Sequence, residues 1–347
     1  MQSRYLFPSA YMADPSAHVF DGRLYIYPSH DWDSGVPESD SGDHFNMKDY
    51  HVLSMDDVEN GDVVDHGVVL DVKDVPWAGR QLWDCDVARK GGKYYMYFPM
   101  KDRNDVFRIG VAVAKRPEGP FIPQPDPMRG SYSIDVCAFE ENGAHYLYFG
   151  GIWGGQLQRY RDNKALEGGG VYPADDEPAI PPRVARLGDD MLQFVEEPRA
   201  VLIFDKGGKP IAHGDNKRRF FEAPWIHKHN GKYYFSYSTG DTHLLCYATG
   251  DSPYGPFTYQ GVILTPVVGW TTHHSIGGVQ RQVVPFPPRQ RPQRRQDMAA
   301  QPQSTRAFPR SRRFDPRDGR RAGLGQSRAH SCLLALFPAA HCRPNRR

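Results

Sequence analysis

The most regular feature of the chain is a turn followed by a short aromatic strand, a unit that occurs four times. The copies are "DGRLYIYPS" from Asp21, "GGKYYMYFP" from Gly91, "NGAHYLYFG" from Asn142 and "NGKYYFSYS" from Asn230. Asp-Gly, Gly-Gly and Asn-Gly are the dipeptides that tight hairpin turns prefer, and Tyr and Phe are enriched in strands. The pattern therefore predicts four hairpins, each with one aromatic strand.

A second shared element follows two of these copies. "AVAKRPEGPF" ends at Phe121 and "YATGDSPYGPF" ends at Phe257, which predicts a further strand and a Pro-Gly turn in each unit. Each unit thus resembles one small antiparallel sheet, and few stretches show a helical apolar stripe. Sheets that recur with the same internal order favour an all-β propeller of four or five blades. A β-sandwich, which also has turns at short spacing, is the alternative.

No further copy of the unit follows Ile276, where a last blade would close a propeller. From Val279 onward the chain has 16 Arg, no Lys and 3 Asp, a net charge of +13. Back-translation of this segment, read one base later, permits "VEFNGKWYLF", which has the expected turn and aromatic strand. We therefore expect a propeller domain at residues 1–277, with its last blade missing or disrupted. Residues 278–347 are expected to be a disordered Arg/Pro/Gln-rich tail, translated out of frame.

The alternative interpretation of the tail is a basic arm that binds nucleic acid or a membrane. Its complete lack of Lys favours codon composition over a charge-based function. The whole chain of 347 residues has a net charge of +2, so the body outside the tail carries −11. An acidic body argues against nucleic acid as a partner, and no apolar run is long enough to span a bilayer.

The cysteines and the N-terminus indicate in which cellular compartment the protein is expected. The five cysteines are odd in number and have no metal-finger spacing: Cys85, Cys137, Cys246, Cys332 and Cys342. This usage fits a reducing compartment. The opening "MQSRYLFPSAYMADPS" has no apolar segment of the kind found in secretory signals. We therefore expect a cytoplasmic protein.

Three acidic residues, each flanked by apolar residues, precede aromatic strands: Asp14 in "YMADPS", Asp135 in "YSIDVCAF" and Glu222 in "FFEAPWIHKHNGKYY". In a propeller the innermost strands begin or end near the axis, so carboxylates from different blades would meet in one pocket. Convergent carboxylates in apolar surroundings have pKa values that split. One can then activate water while another donates a proton to a leaving oxygen, as glycoside hydrolysis requires. For each residue alone, a turn cap or buried acceptor is the competing interpretation.

These segments, together with "LWDCDV", "GKYYMYF" and "THHSI", resemble glycoside hydrolase family 43 from about Tyr11 to Ile276. The resemblance implies a five-bladed β-propeller with an axial active site. It implies that Asp14 is the general base, that Glu222 is the general acid and that Asp135 orients the acid and raises its pKa. The chain departs from the family at Asp84 and Cys85, where Ala-Pro is common, and at Val136, where Pro is common. Neither departure removes a catalytic carboxylate.

Aromatic and histidine residues extend the predicted site. Trp83 is a candidate sugar-binding wall or a core residue, and Trp32 in "SHDWDSG" is a second candidate wall. Asp86 is expected to be a strand-end cap. In "THHSI", adjacent side chains on a strand point to opposite sides. By resemblance His273 lies under the sugar and is a candidate ligand of a calcium ion, which would be mostly hydrated because calcium prefers oxygen ligands.

The resemblance implies an inverting exo-glycosidase that releases terminal xylose from xylo-oligosaccharides, a β-D-xylosidase. An α-L-arabinofuranosidase on the same scaffold is the alternative, as is a catalytically impaired propeller that only binds sugar. We expect a small oligosaccharide partner, such as a xylo- or arabino-oligosaccharide, with no nucleic acid and no membrane. No cofactor is expected to be required, apart from the candidate calcium ion.

Overall fold

The computed structural model of the chain describes residues 10–57, 61–166, 170–240, 242–265 and 272–276. Within these ranges the fold is all-β, with eighteen strands in four sheets and three single turns of 3-10 helix. The predicted tail at residues 278–347 and the remainder of a fifth blade lie outside the described residues. Within the described ranges no helix is both long and apolar enough to cross a membrane.

The first two sheets follow chain order. The first contains β1 (Tyr11–Phe20), β2 (Arg23–Asp31), β3 (Asp49–Met55) and β4 (Val64–Asp71), and the 3-10 turn Val72–Asp74 comes next. The second contains β5 (Ala78–Leu82), β6 (Asp86–Lys90), β7 (Lys93–Asp102), β8 (Phe107–Ala114) and β9 (Ile122–Pro123). Both β5 and β6 pair with β7, β5 near its end and β6 near its start. The innermost strand of this sheet is therefore interrupted at residues 83–85.

The last two sheets have four and five strands, like the first two. The third contains β10 (Cys137–Glu141), β11 (Ala144–Phe149), β12 (Arg183–Arg186) and β13 (Arg199–Ala200), with the 3-10 turns Trp153–Gly155 and Leu157–Arg159 between β11 and β12. The fourth contains β14 (Ile203–Phe204), β15 (Phe220–His229), β16 (Lys232–Thr239), β17 (Leu245–Gly250) and β18 (Phe257–Leu264). Its order is β14-β18-β17-β16-β15, with β14 added in parallel to β18.

The four predicted hairpins all form. Asp21-Gly22, Gly91-Gly92, Asn142-Gly143 and Asn230-Gly231 are their turns, and both residues of each turn have positive φ, between 48° and 82°. Positive φ at both central positions defines the type I′ turn, whose twist matches the twist of the flanking strands. The second residue of each turn is Gly because it adopts positive φ without steric cost. The sequence pattern thus identified the position of these turns, and the backbone angles show their type.

The innermost strands of successive sheets pack side by side. β6 contacts both β1 and β10, and β10 contacts β15. The rings of His18 in β1 and Trp225 in β15 lie 5.9 Å apart, so the innermost strands of the first and fourth sheets approach each other at this pair. The largest apolar cluster joins the second, third and fourth sheets through residues such as Tyr97, Tyr148 and Phe235, all fully buried. The sheets are therefore blades of a propeller, as predicted, and not the two layers of a sandwich.

Candidate active site

Each blade contributes one carboxylate at an irregularity of its innermost strand. β1 is bulged between Ala13 and Ser16, and β15 is irregular on both sides of Glu222. Asp84 lies in the gap between β5 and β6, and Asp135 lies just before β10. Bulges commonly re-aim side chains at functional sites. Interruptions of regular strand pairing therefore accompany Asp14, Asp84 and Glu222, the three of these acids that line one pocket.

Asp14 is held in a strained conformation by its neighbours. Its φ is +51°, in the left-handed region that residues other than Gly rarely adopt. The hydroxyl of Ser29, on the paired strand β2, donates a hydrogen bond of 2.7 Å to Asp14 Oδ2. The Asp14 side chain is 12% exposed, so its carboxylate can reach both pocket water and its buried neighbours.

Asp135 and Glu222 are linked through the backbone. Asp135 is 1% exposed, and its Oδ2 accepts a hydrogen bond of 2.8 Å from the backbone N–H of Ala223. Ala223 follows Glu222 directly and has a φ of +58°. Asp135 therefore stabilises the strained turn that presents Glu222 to the pocket.

Asp84 is a fourth carboxylate that the sequence analysis noted only as a departure from a family pattern. Burial raises the pKa of Asp84 well above its usual value, and the charges of Asp14 and Asp135 raise it further. Its Oδ1 has no hydrogen-bond donor among the described residues. The sequence feature that points to Asp84 is its place two residues before Asp86. Asp84 lies in the gap between β5 and β6, and Asp86 begins β6.

The two histidines of "THHSI" point apart, as predicted. Nδ1 of His273 lies 3.6 Å from Asp14 Oδ1 and 3.7 Å from Asp84 Oδ2. His274 is buried, and its Nε2 lies 2.6 Å from the hydroxyl of Ser236 in the fourth blade. Burial lowers the pKa of His274 well below its usual value, and the charge of His273 lowers it further. His274 is therefore a neutral core residue, while His273 belongs to the carboxylate cluster.

The pocket above the acids has an empty volume of about 490 Å³, including its open mouth. Asp14, Asp84 and Glu222 line it together with Asp40, and the remaining wall is apolar or glycine: Gly42, Phe45, Met47, Trp83, Ile134, Ile152, Trp153, Gly154, Gly155 and Phe221. The Gly-rich "GGIWGGQ" segment thus forms one side of the pocket. A pocket with apolar walls and a few convergent polar groups is typical of small-molecule sites.

Trp83 is both a wall of the pocket and part of a small apolar cluster. Its ring lies 4.7 Å from the ring of Phe107 and 5.7 Å from that of Phe45. Gly42 packs against its edge, where a Cβ atom would lie 2.5 Å from Trp83 Cη2. The indole N–H of Trp83 is buried and has no hydrogen-bond partner among the described residues. The ring is therefore fixed in place by its neighbours.

Two other predicted positions lie outside the pocket. Trp32 is 46% exposed and does not line the pocket; it packs on His30, with ring centroids 4.9 Å apart, and donates to Asp49 Oδ2 at 3.3 Å. Its indole N–H is directed at Asp49, so Trp32 is not part of the pocket wall in this structure. Asp86 begins β6 and accepts a hydrogen bond from the Val87 N–H at 2.7 Å, as expected of a structural cap.

Comparison with known proteins identifies what this arrangement is similar to. The model of the family "Glycosyl hydrolases family 43" matches residues 8–273. A xylosidase/arabinosidase of Bacteroides ovatus is 72% identical over 276 residues, which cover 79% of this chain and 85% of that protein. A β-xylosidase of Xylanibacter ruminicola is 62% identical over 278 residues, which cover 80% of this chain and 86% of that protein.

A solved structure provides a three-dimensional comparison. It is a β-xylosidase/α-arabinofuranosidase of family 43 from a compost microbial metagenome, in complex with xylotriose and in a calcium-free form. It superposes with a TM-score of 0.77 at 60% sequence identity, covering 79% of this chain and 84% of that one.

Proposed function

The chain belongs to glycosyl hydrolase family 43, and we propose that it is an inverting exo-β-D-xylosidase that removes terminal xylose from short xylo-oligosaccharides. The observation that carries the proposal is the convergence of Asp14, Asp84 and Glu222 at one pocket, with Asp135 buried behind them. The names of the two curated relatives and the xylotriose in the solved relative support the sugar class.

Asp14 and Glu222 carry the two proton transfers of the proposed reaction. Asp14 accepts a proton from a water molecule, whose oxygen bonds to the anomeric carbon. Glu222 gives its proton to the glycosidic oxygen, which departs with the electron pair of the broken C–O bond. Attack and departure occur on opposite faces of the sugar, so the anomeric configuration inverts. The apolar walls exclude water from the rest of the pocket, which strengthens each of these electrostatic interactions.

Asp135 acts through the position of Glu222 in this proposal. Its bond to the Ala223 N–H fixes the turn that carries the acid, and its buried negative charge opposes ionisation of a nearby carboxyl group. Trp83 provides a flat apolar surface for the sugar ring.

We also propose that calcium binds beside these acids. Asp14, Asp84 and His273 each offer one ligand atom, and the three atoms lie within 4.8 Å of one another. Two carboxylates suit a hard cation that prefers oxygen, and water would complete its coordination. The unpaired Oδ1 of Asp84 fits such a role. A bound divalent cation would supply positive charge that offsets the repulsion between the two aspartates.

Hydrolysis of two nitrophenyl glycosides tests the substrate proposal. We expect higher kcat/KM on the β-D-xylopyranoside than on the α-L-arabinofuranoside, and xylose as the first product from xylotriose. Because relatives carry the double name xylosidase/arabinosidase, measurable activity on both sugars is the second candidate function. NMR of the fresh product should show α-xylose; β-xylose would contradict the inverting mechanism. Sugar binding without turnover would favour the impaired propeller.

We further propose that the sequence after about Ile276 is a shifted reading of the last blade. The family match ends at residue 273, next to this position. Restoring the frame by one base near codon 276 should raise both the melting temperature and kcat/KM, because a last blade would cover the flanks of the first and fourth blades. Equal values for the two versions would contradict the proposal, and salt-sensitive DNA binding lost on truncation at Gly278 would favour a basic arm.

A further inference from the structure

A second group of candidate metal ligands lies in the first blade, apart from the pocket acids. It consists of His30 at the end of β2, and Asp49 and His51 on β3. Asp49 pairs directly with His30 across the two strands. His30 and Asp49 are buried, at 6% exposure each, and the His51 side chain is 16% exposed. The group is therefore enclosed by protein on most sides and open to solvent at His51.

The ligand atoms are close enough to share one ion. Nδ1 of His30 lies 2.5 Å from Asp49 Oδ1, and Nε2 of His51 lies 3.7 Å from the same oxygen. Bonds from zinc to nitrogen and oxygen are about 2 Å long, so the ligand atoms of a tetrahedral site are about 3.3 Å apart. The two observed separations bracket that value. Moving the side chains by less than about 1 Å would fit an ion between them.

The groups around these ligands orient them as the partners of a metal site do. Nδ1 of His51 bonds to the carboxylate of Asp65 at 2.9 and 3.1 Å, which leaves its Nε2 to face Asp49. Asp65 is fixed in turn by the backbone N–H of Gly67, at 2.8 Å. The Trp32 indole N–H donates to Asp49 Oδ2, so Oδ1 stays directed at the two imidazoles. A carboxylate behind a ligating histidine is a recurrent feature of zinc sites.

We propose that His30, Asp49 and His51 bind a divalent first-row transition metal of the zinc class, with water as the fourth ligand. Two imidazoles and one carboxylate suit zinc or cobalt better than calcium, whose ligands are oxygens. This ligand set therefore differs in kind from the Asp14, Asp84 and His273 group. The proposal does not depend on the substrate of the pocket.

The position of this site gives the metal a structural consequence. His30 and Asp49 stand at the two ends of the segment between them, and that segment supplies Asp40, Gly42, Phe45 and Met47 to the pocket wall. Within it, Asp33 and Phe45 form one isolated bridge, and Asp31 Oδ1 accepts the Asn46 N–H at 2.7 Å. An ion shared by β2 and β3 would tie the base of this loop together and so fix the shape of the wall.

Zinc binding to the full chain tests the proposal. Apoprotein would be dialysed against ZnCl₂ and its bound zinc measured for the wild type and for His51→Gln, His30→Gln and the matched control His229→Gln, an exposed histidine of β15 outside both groups of candidate ligands. We expect His51→Gln and His30→Gln each to lose one equivalent that His229→Gln retains. Asp65→Asn should keep the site but weaken it by about 10- to 100-fold, as loss of a ligand-orienting carboxylate does. Each variant has the same tail, so any zinc bound there cancels in the comparison.

Cobalt gives a readout that is independent of zinc content. CoCl₂ should produce a visible absorption band of four-coordinate cobalt in the wild type and in His229→Gln, and none in His51→Gln or His30→Gln. Circular dichroism checks that the variants fold, and having two separate ligand variants protects against failure of either one. No saturable zinc binding by the wild type, or equal zinc content in all four proteins, would overturn the proposal and leave the cluster as a hydrogen-bonded network.

Discussion

Asp84 and Asp86 lie on either side of Cys85 and both are buried, yet their surroundings are opposite. Asp84 faces the pocket beside two other carboxylates, and one of its oxygens has no donor among the described residues. Asp86 is 0% exposed, but it accepts the backbone N–H groups of Val87 at 2.7 Å and Ala138 at 2.6 Å. On its other side it meets the Ser16 hydroxyl and, at 2.5 Å, His18 Nε2.

The difference separates an acid with an unpartnered oxygen beside the pocket from an acid that holds blades together. The donors to Asp86 come from the first, second and third blades, so one carboxylate joins three innermost strands. Hydrogen bonds to an ionised acceptor offset the cost of burying it. Asp84 lacks that compensation, which is acceptable where a cation, water or substrate supplies the missing partner. Burial alone therefore does not distinguish a functional carboxylate from a structural one; its donors do.

The largest effect is expected at the two proton-transfer residues. Asp14→Asn and Glu222→Gln should each lower kcat by about 10³-fold or more, because each removes one group that moves a proton. The melting temperature should change little, since both side chains line the pocket. For Glu222→Gln the loss should be greater on xylobiose than on a nitrophenyl xyloside, whose leaving group needs less protonation.

Asp251→Asn is the control for these two variants, because Asp251 is an exposed partner of Lys232 with 84% side-chain exposure. It should keep the wild-type rate. A wild-type rate on xylobiose for Glu222→Gln would remove Glu222 from the role of general acid.

The next largest effect is on stability, at the blade junction. Asp86→Asn replaces an acceptor of several hydrogen bonds by a group that presents N–H to other donors. We expect the free energy of unfolding to fall by about 3 kcal/mol, as when a buried charge network loses one partner, and Tm to fall by about 10 °C. Asp56→Asn, at an exposed ion pair with Arg23, should change Tm by about 1 °C or less. Similar Tm values for the two variants would contradict the role of Asp86.

The matched substitution at Asp84 should behave differently. Asp84→Asn keeps the shape of the side chain and removes a charge that burial and two carboxylates disfavour, so stability should change by about 1 kcal/mol or less near pH 5. Because the folded state raises the pKa of Asp84, the native protein binds more protons than the unfolded chain above the ordinary pKa, and wild-type stability falls as pH rises.

The Asp84→Asn variant lacks this pH dependence of stability. In metal-free buffer, the Tm of Asp84→Asn should therefore rise relative to that of the wild type as the pH increases from about 5 to about 8. Thermal melts across this range measure the gain. A constant difference would show that the Asp84 carboxyl does not titrate in that range. Added calcium should raise Tm of the wild type but not of the variant, if Asp84 is a ligand.

The blades, two of the four acids that line the pocket and the buried Asp135 could be predicted from sequence because local rules fix them. Asn-Gly and its equivalents specify type I′ turns, and the aromatic runs after them specify strands. Asp14, Asp135 and Glu222 each precede such a strand, so their common position near the axis followed from the propeller. The separate contacts of His273 and His274 followed from the alternation of side chains along an extended segment.

What could not be predicted depends on contacts between distant segments. Nothing in "LWDCDV" tells which aspartate has donors from outside this segment, because Ser16 and Ala138, which donate to Asp86, belong to other blades. Trp32 is an aromatic residue on a loop, as expected of a sugar-binding wall, but its indole N–H donates to Asp49. The group of His30, Asp49 and His51 exists only because β2 and β3 pair in one register.

The smallest effect is expected at Ser29, whose hydroxyl group helps to position the pocket acid Asp14. The pocket differs from the blade junction in having few donors, and Ser29 is one of them, with its hydroxyl on Asp14 Oδ2. Ser29→Ala should lower kcat by about 10-fold, the equivalent of about 1.4 kcal/mol for a hydrogen bond to a charged group, with little change in KM. Ser54→Ala removes an equally buried hydroxyl of the same blade, bonded to Arg23 and His66. It should leave kcat unchanged. If both variants lose activity equally, the hydroxyl of Ser29 supports the blade and does not position the base.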